Sequence, residues 1–312
     1  MDQKCINSII KCLIQSDMSD LNFRKVTIRP IRYKIGEEGL EEKVFISDTL
    51  AFDKFQISDA WVVGNILIFT VFDGYLENKY HLTEGETFRK HYECLPESTS
   101  IEKITKNCYR IMKIIRNAIQ HNISNVKYDS GKYDIEYYYK NTLYRLQISS
   151  NGISCLYTII MNIVQEQIRE IGKKYTTAGH YEGIIYSLYT EMNSEIVRLS
   201  DDIDGELLTI PDGLKLRMNV RYLIENPQIV MENENTITFF HVENNFTTDE
   251  SDSQYCYSQD YIYKNYILPQ EIGKIVLEEE KTFDKRTKGQ KICFYKKSLE
   301  DKWKIHPAIP FS

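Results

Sequence analysis

The sequence predicts a mainly α fold, and three observations carry that expectation. Ile101, Ile104, Cys108, Ile111, Ile115 and Ala118 recur at steps of three and four, the spacing of one apolar helical face. Apolar segments before and after that helix are long enough to pack on it. Between the central helix and the later of these segments, two runs dense in Tyr, Ile and Leu, split by Lys140-Asn141, read as a β-hairpin. The expected architecture is a helical bundle over 56–175 with a β-hairpin after the central helix. An α/β preface over 1–55 precedes it, and a mixed α+β region over 176–312 follows.

In chain order, the preface opens with a short amphipathic helix from Ile6 to Ile14, an extended stretch over 26–31 and a Glu-rich turn at Glu37-Glu38-Gly39. A helix is predicted from Asp59 to His81, with Trp61, Val62, Ile66, Leu67, Phe69, Phe72 and Leu76 as its apolar residues. The central helix then runs to His121. Tyr128 to Lys132 is turn-rich, and the hairpin covers Tyr133 to Ile148. A third bundle helix follows from about Ile153 to Ile171, and another from Tyr181 to Leu199 with Ile184, Ile185, Leu188, Met192 and Ile196 on one face. Strands are expected at Gln228 to Met231, Thr236 to Val242 and Lys291 to Tyr295. A polar loop is expected at Thr247 to Gln254, a helix at Pro269 to Glu280 and a Pro-punctuated end at Pro307 to Pro310. Asp201 to Glu206 resembles a calcium loop. Counting Gly205 as position six, however, puts Pro211 where the bidentate Glu belongs, so the segment reads as a surface turn.

Composition narrows the function. With 42% apolar residues, the 312-residue chain can bury a sizeable core, and its length suits two domains or one domain with large additions. The longest apolar run, Ala60 to Phe72, is interrupted by Asn65 and too short to span a bilayer, and the N-terminus lacks a signal-peptide pattern. Seven cysteines without a Cys-x2-Cys pair fit a reducing cytoplasm and support neither a disulfide framework nor a zinc site. No phosphate loop, His-Glu-x-x-His or Gly-x-Ser-x-Gly motif is present, so no metal and no cofactor is expected. His81, His91, His180, His241 and His306 stand alone and read as structural or surface residues. A net charge of −6 argues against a chain that coats nucleic acid non-specifically.

The charge is uneven, however. The central helix carries Lys103, Lys106, Arg110, Lys113 and Arg116 against a lone Glu102. At about 100° per residue, Arg116, Asn117, Gln120 and His121 fall within roughly 140° of arc, opposite the apolar stripe. A basic stripe ending in a cation, an amide and an imidazole suits a focused phosphate site.

The run Arg116-Asn117-Ala118-Ile119-Gln120-His121 resembles the Arg-x4-His signature of the HEPN superfamily, including its frequent Arg-Asn-Ala start. The order of helix, motif helix, short hairpin and further helix over about 57–172 is similar to several HEPN families. The resemblance implies a helical bundle and a metal-independent endoribonuclease that cuts RNA by attack of its own 2′-hydroxyl. In that reading His121 moves the proton, since an imidazole exchanges protons near neutrality. Arg116 stabilises the phosphoryl charge and Asn117 orients the phosphate or the histidine, while Lys106, Arg110, Lys113 and Gln120 bind the RNA. HEPN domains typically pair, which implies a homodimer with two copies of Arg116 and His121 across one cleft. Such enzymes often act as toxins or phage-defence effectors, with an antitoxin or trigger partner that would act at the C-terminal region. One branch is controlled through a Tyr two residues after the His, and here that position is Ile123. The rival expectation is a non-catalytic dimerisation, nucleotide-binding or RNA-binding module.

Overall fold

The computed structural model describes residues 4–9, 30–35, 40–47, 61–164, 177–216, 221–224, 227–241, 258–276 and 290–305. The chain forms two compact units. The first comprises residues 1–24, 53–168 and 185–213, and the second comprises 25–52, 169–184 and 214–312.

The first unit is built around one helix. Residues 4–9 are helical (α1). Then come α2 (Trp61–Tyr80), α3 (Phe88–Cys94) and the central α4 (Ser100–His121). Thr99 starts α4 with a reciprocal cap: its hydroxyl accepts from the Glu102 amide at 3.2 Å, and the Glu102 carboxylate accepts from the Thr99 amide at 2.9 Å. Such a cap satisfies two otherwise orphaned N–H groups and contributes about 1 kcal/mol. The stripe residues Ile104, Cys108, Ile111, Ile115 and Ala118 are fully buried.

After α4 the chain forms β3 (Val126–Asp129), β4 (Lys132–Tyr139) and β5 (Thr142–Ser149), then α5 (Ser150–Val164). β4 and β5 pair antiparallel from Lys132 opposite Ser149 to Tyr139 opposite Thr142, the hairpin predicted over Tyr133 to Ile148. Lys140 and Asn141 both have positive φ, the two-residue turn whose twist matches paired strands. In β4, buried Tyr133 and Ile135 alternate with exposed Lys132, Asp134 and Glu136, a period of two. α4 packs against α2, α3, α5 and both strands of the hairpin, so it has neighbours on every side.

The helix predicted to reach Leu199 instead ends at Ser194. α6 is Ala178–Ser194, and β6 (Ile196–Ser200) pairs with β5 to complete a sheet in the order β3-β4-β5-β6. An isolated hairpin is marginally stable, and two further strands give it a full apolar face. Ile184, Ile185, Leu188 and Met192 of α6 are buried as their spacing predicts.

The second unit holds two sheets. One runs β1 (Pro30–Ile35), β2 (Leu40–Ser47), β7 (Arg221–Ile224), β10 (Ser258–Tyr263), β11 (Tyr266–Pro269), with β7 and β10 parallel and the other pairs antiparallel. The other runs β12 (Lys274–Val276), β13 (Gln290–Tyr295), β9 (Thr236–His241), β8 (Ile229–Glu232), all antiparallel. Ile237, Phe239, Tyr261, Leu268, Ile292, Phe294 and Trp303 form its core. Over 269–276, the described part of the helix predicted at Pro269 to Glu280, there is no α-helix: a short 3-10 turn at Gln270–Ile272 leads into β12. Gly273 separates the two, and a Cβ there would lie 2.7 Å from the Ile292 side chain, so the backbone passes too close for a larger residue.

The fold is therefore mixed α/β, and the mainly α expectation is wrong. Sheets of five, four and four strands stand beside the helices among the described residues. The error has a physical source, because strands such as β3, β6 and β12 owe their strand character to pairing with neighbours more than to their own few residues. By sequence β3 resembles part of a turn and β6 the end of a helix. No described helix is long and apolar enough to cross a membrane. The predicted features at 10–14, 26–29, 37–39, 165–171, 247–254 and 307–310, with Cys12, Cys256 and His306, lie outside the described residues.

Candidate functional site

The predicted polar face of α4 is not solvated along its length. Lys106, Asn107, Arg110 and Lys113 are all buried, and each is satisfied within the first unit. Arg110 is only 2% exposed. Its Nη2 and Nε donate to the two oxygens of Asp201 at 2.7 and 2.9 Å, a bidentate fork. It also donates to the carbonyls of Ile203, Gly205 and Glu206 at 2.8, 3.0 and 3.1 Å. Lys113 donates to Asp202 and lies over the rings of Phe88 and Tyr144. Burial alone would raise the Asp202 carboxyl, but the Lys113 ammonium that donates to it holds it below its usual value. Lys106 donates to the Leu95 carbonyl and to Glu97, both at 3.2 Å, and lies over the Tyr92 ring. Asn107 donates to the Tyr189 hydroxyl at 2.6 Å and exchanges hydrogen bonds with the Leu208 backbone.

The segment after β6 therefore has a role that its sequence hid. Asp201 to Glu206, expected to be a surface turn, wraps the Arg110 head, and the Asp201 side chain is fully buried. Lys106, Arg110 and Lys113, expected to contact RNA, hold this part of the first unit together. A helical wheel shows where the apolar stripe lies, but it cannot show that β4, β5 and the 201–208 segment cover the opposite side.

The last turns of α4 differ. Arg116 is half-buried, with its guanidinium over the Phe69 ring and Nη1 donating to Asn117 Oδ1 at 2.9 Å. Its buried Nε finds no acceptor, and among the described residues no carboxylate pairs with it. Gln120 and His121 are exposed where the helix ends, and the Asn122 amide closes the last turn on the Ala118 carbonyl. The structure thus brings Arg116 and Asn117 together. It places Gln120 and His121 at the surface, with no hydrogen bond from His121 to Arg116 or Asn117 among the described residues. Ile123, directly beyond, is 51% exposed.

A second group escapes a reading of the sequence. Asp73 and Glu77, one turn apart on α2, meet His91 of α3, and one ligand atom from each lies within 4.8 Å of the others. Tyr109 of α4 donates to Asp73 Oδ1 at 2.5 Å and stacks on Phe88 with ring centres 4.4 Å apart. Burial and the neighbouring Asp73 carboxylate push the Tyr109 phenol far up, so it keeps its proton. The Asp-x3-Glu spacing on a helix is the available signal, whereas His91 is brought in only by the turn between α2 and α3.

In the second unit, Thr177 Oγ1 lies 2.7 Å from His180 Nδ1, and His180 Nε2 lies 3.2 Å from Asp260 Oδ1. The trio is a polar network of the core, because His180 is completely buried against the edge of Trp303. In comparisons with known proteins, no family model, no curated protein and no solved structure matches this chain.

Proposed function

We propose that this protein is a metal-independent endoribonuclease of the HEPN type, acting through Arg116, Asn117 and His121. The observation that carries the reading is the contrast along α4. Its buried cations are held by Glu97, Asp201 and Asp202, whereas Arg116 is steadied by an amide and an aromatic ring and has no carboxylate partner among the described residues. An oriented guanidinium without a carboxylate is suited to receiving a phosphoryl oxygen. His121 stands at the surface about 7.5 Å further along the helix axis, able to exchange a proton with substrate.

One imidazole cannot efficiently serve as both acid and base on one phosphate, so the reading includes a homodimer that places two His121 side chains in one cleft. Exposed Ile123 beside His121 supplies an apolar contact for such pairing. In the cleft, one His121 would take the proton of the 2′-hydroxyl as its oxygen attacks phosphorus. The other would protonate the departing 5′-oxygen, and Arg116 would offset the charge on the non-bridging oxygens. Toxin or phage-defence biology, with control through an antitoxin or trigger partner, completes the proposal.

The test is incubation of purified protein with RNA in EDTA. Cleavage that leaves 2′,3′-cyclic phosphate ends supports the reading, while a need for Mg²⁺ or 3′-hydroxyl ends would overturn it. A second reading is a non-catalytic dimerisation, nucleotide-binding or RNA-binding module; the burial of Lys106, Arg110 and Lys113 favours it over an enzyme, because it removes cations that would hold RNA for cleavage at His121. RNA bound but uncut in the same assay would favour it.

A further inference from the structure

We infer that Asp73, Glu77 and His91 form a binding site for one divalent first-row cation. This proposal stands apart from the ribonuclease reading and uses none of its residues.

The positions of the protons come first. His91 Nε2 lies 2.9 Å from the Thr83 carbonyl, which can only accept, so Nε2 carries the hydrogen. In the neutral ring that fixes Nδ1 as a bare lone pair. Nδ1 faces Asp73 Oδ1 at 3.7 Å and sits 3.4 Å from the Tyr109 hydroxyl. The single Tyr109 proton is already given to Asp73 at 2.5 Å, and that short bond leaves none for Nδ1. His91, only 5% exposed, thus turns Nδ1 toward the Asp73 carboxylate, the orientation of a ligand nitrogen beside a ligand oxygen. A cation between them is also within reach of the Glu77 carboxylate, since one ligand atom of each of the three lies within 4.8 Å of the others.

The chemistry of the group is that of a metal shell and its support. An imidazole nitrogen oriented by a backbone carbonyl on its other nitrogen is the usual arrangement of a ligating histidine. Asp73 accepts a hydrogen bond from Tyr109 on one oxygen, which fixes the carboxylate in the same way. Two ligands at about 2.1 Å from one ion stand roughly 3.0–3.4 Å apart, so the 3.7 Å between Asp73 and His91 needs only a small contraction. Asp73 and Glu77 are both partly exposed, which leaves water a path to the remaining coordination positions. One nitrogen and two carboxylate oxygens select Mn²⁺ or Zn²⁺ over Ca²⁺, which prefers an all-oxygen shell. The site ties α2 to α3, two elements otherwise joined across the 81–87 turn.

The test uses the full-length protein, stripped with chelator and then titrated with Mn²⁺ alone, with free Mn²⁺ followed by electron paramagnetic resonance. One Mn²⁺ per chain is expected, displaced by Zn²⁺, with a rise in melting temperature on binding. Glu77→Gln, at a partly exposed position, should weaken binding at least about tenfold, with circular dichroism confirming that the variant is folded. His91→Gln should abolish binding, and circular dichroism would confirm that the variant is folded. Absence of saturable binding, or equal binding by wild type and Glu77→Gln, would overturn the site. RNA cleavage in EDTA is read separately, so failure of the cation site and failure of the ribonuclease reading remain distinguishable.

Discussion

Replacing Arg110 by Met separates a structural cation from an RNA-binding one. In the folded chain Arg110 makes two charge-assisted bonds to Asp201 and three to backbone carbonyls, all in a region where neither side chain is appreciably exposed. Met fills similar volume but donates nothing, which leaves a buried carboxylate without a counter-charge and three carbonyls without donors. Breaking a buried pair in this one-sided way costs about 3–5 kcal/mol. Against a total stability of roughly 5–15 kcal/mol, that removes a large share. The assay is urea unfolding followed by circular dichroism, with the slope checked so that a midpoint shift reports stability alone. Arg110→Lys should also lose much of the stability, since an ammonium cannot reproduce the two-pronged fork. The double substitution Arg110→Met with Asp201→Leu should recover part of the loss, because no charge is then stranded. RNA cleavage per folded molecule should be unchanged in Arg110→Met. A stability change below about 1 kcal/mol combined with lost RNA binding would refute the reasoning and return Arg110 to the surface role its sequence suggested.

His121→Ala should abolish RNA cleavage while changing stability by no more than about 0.5 kcal/mol, since the side chain is exposed. Ile111→Ala, on the buried stripe of the same helix, should cost about 2–5 kcal/mol by opening a cavity, and equilibrium unfolding distinguishes the two. Light scattering at micromolar concentration should give about twice the 36.8 kDa chain mass, and Ile123→Lys should shift the protein towards monomer. His241, buried in β9 beside the Tyr261 hydroxyl, is pushed down by burial from 6.5 to about 4. Between those values the unfolded chain binds a proton that the folded chain does not. Stability is therefore full above pH 6.5 and falls by up to about 3 kcal/mol as the pH drops towards 4. His241→Gln should flatten that part of the pH–stability curve, and an unchanged slope would show that another group is responsible.

Features that depend on near neighbours are legible in the chain alone. The stripe from Ile104 to Ala118 identifies α4, the Lys140-Asn141 break locates the hairpin turn, and Ile184 to Met192 mark the buried face of α6. Spacing also puts Arg116, Asn117 and His121 at one helix end, where two of them are close enough to bond. The remaining features arise only on folding, because they concern partners distant in the chain. Arg110 meets Asp201 across 91 positions and Asn107 meets Tyr189 across 82, separations that no helical wheel can span. The same reason hides β3 and β6, whose strand character comes from pairing with β4 and β5 more than from their own few residues. It hides the Asp73–Glu77–His91 group as well, since a histidine that is isolated in sequence becomes a neighbour only when α3 folds back onto α2. A charge on an amphipathic helix is solvated by default, and only the elements that cover it turn it into a structural tie.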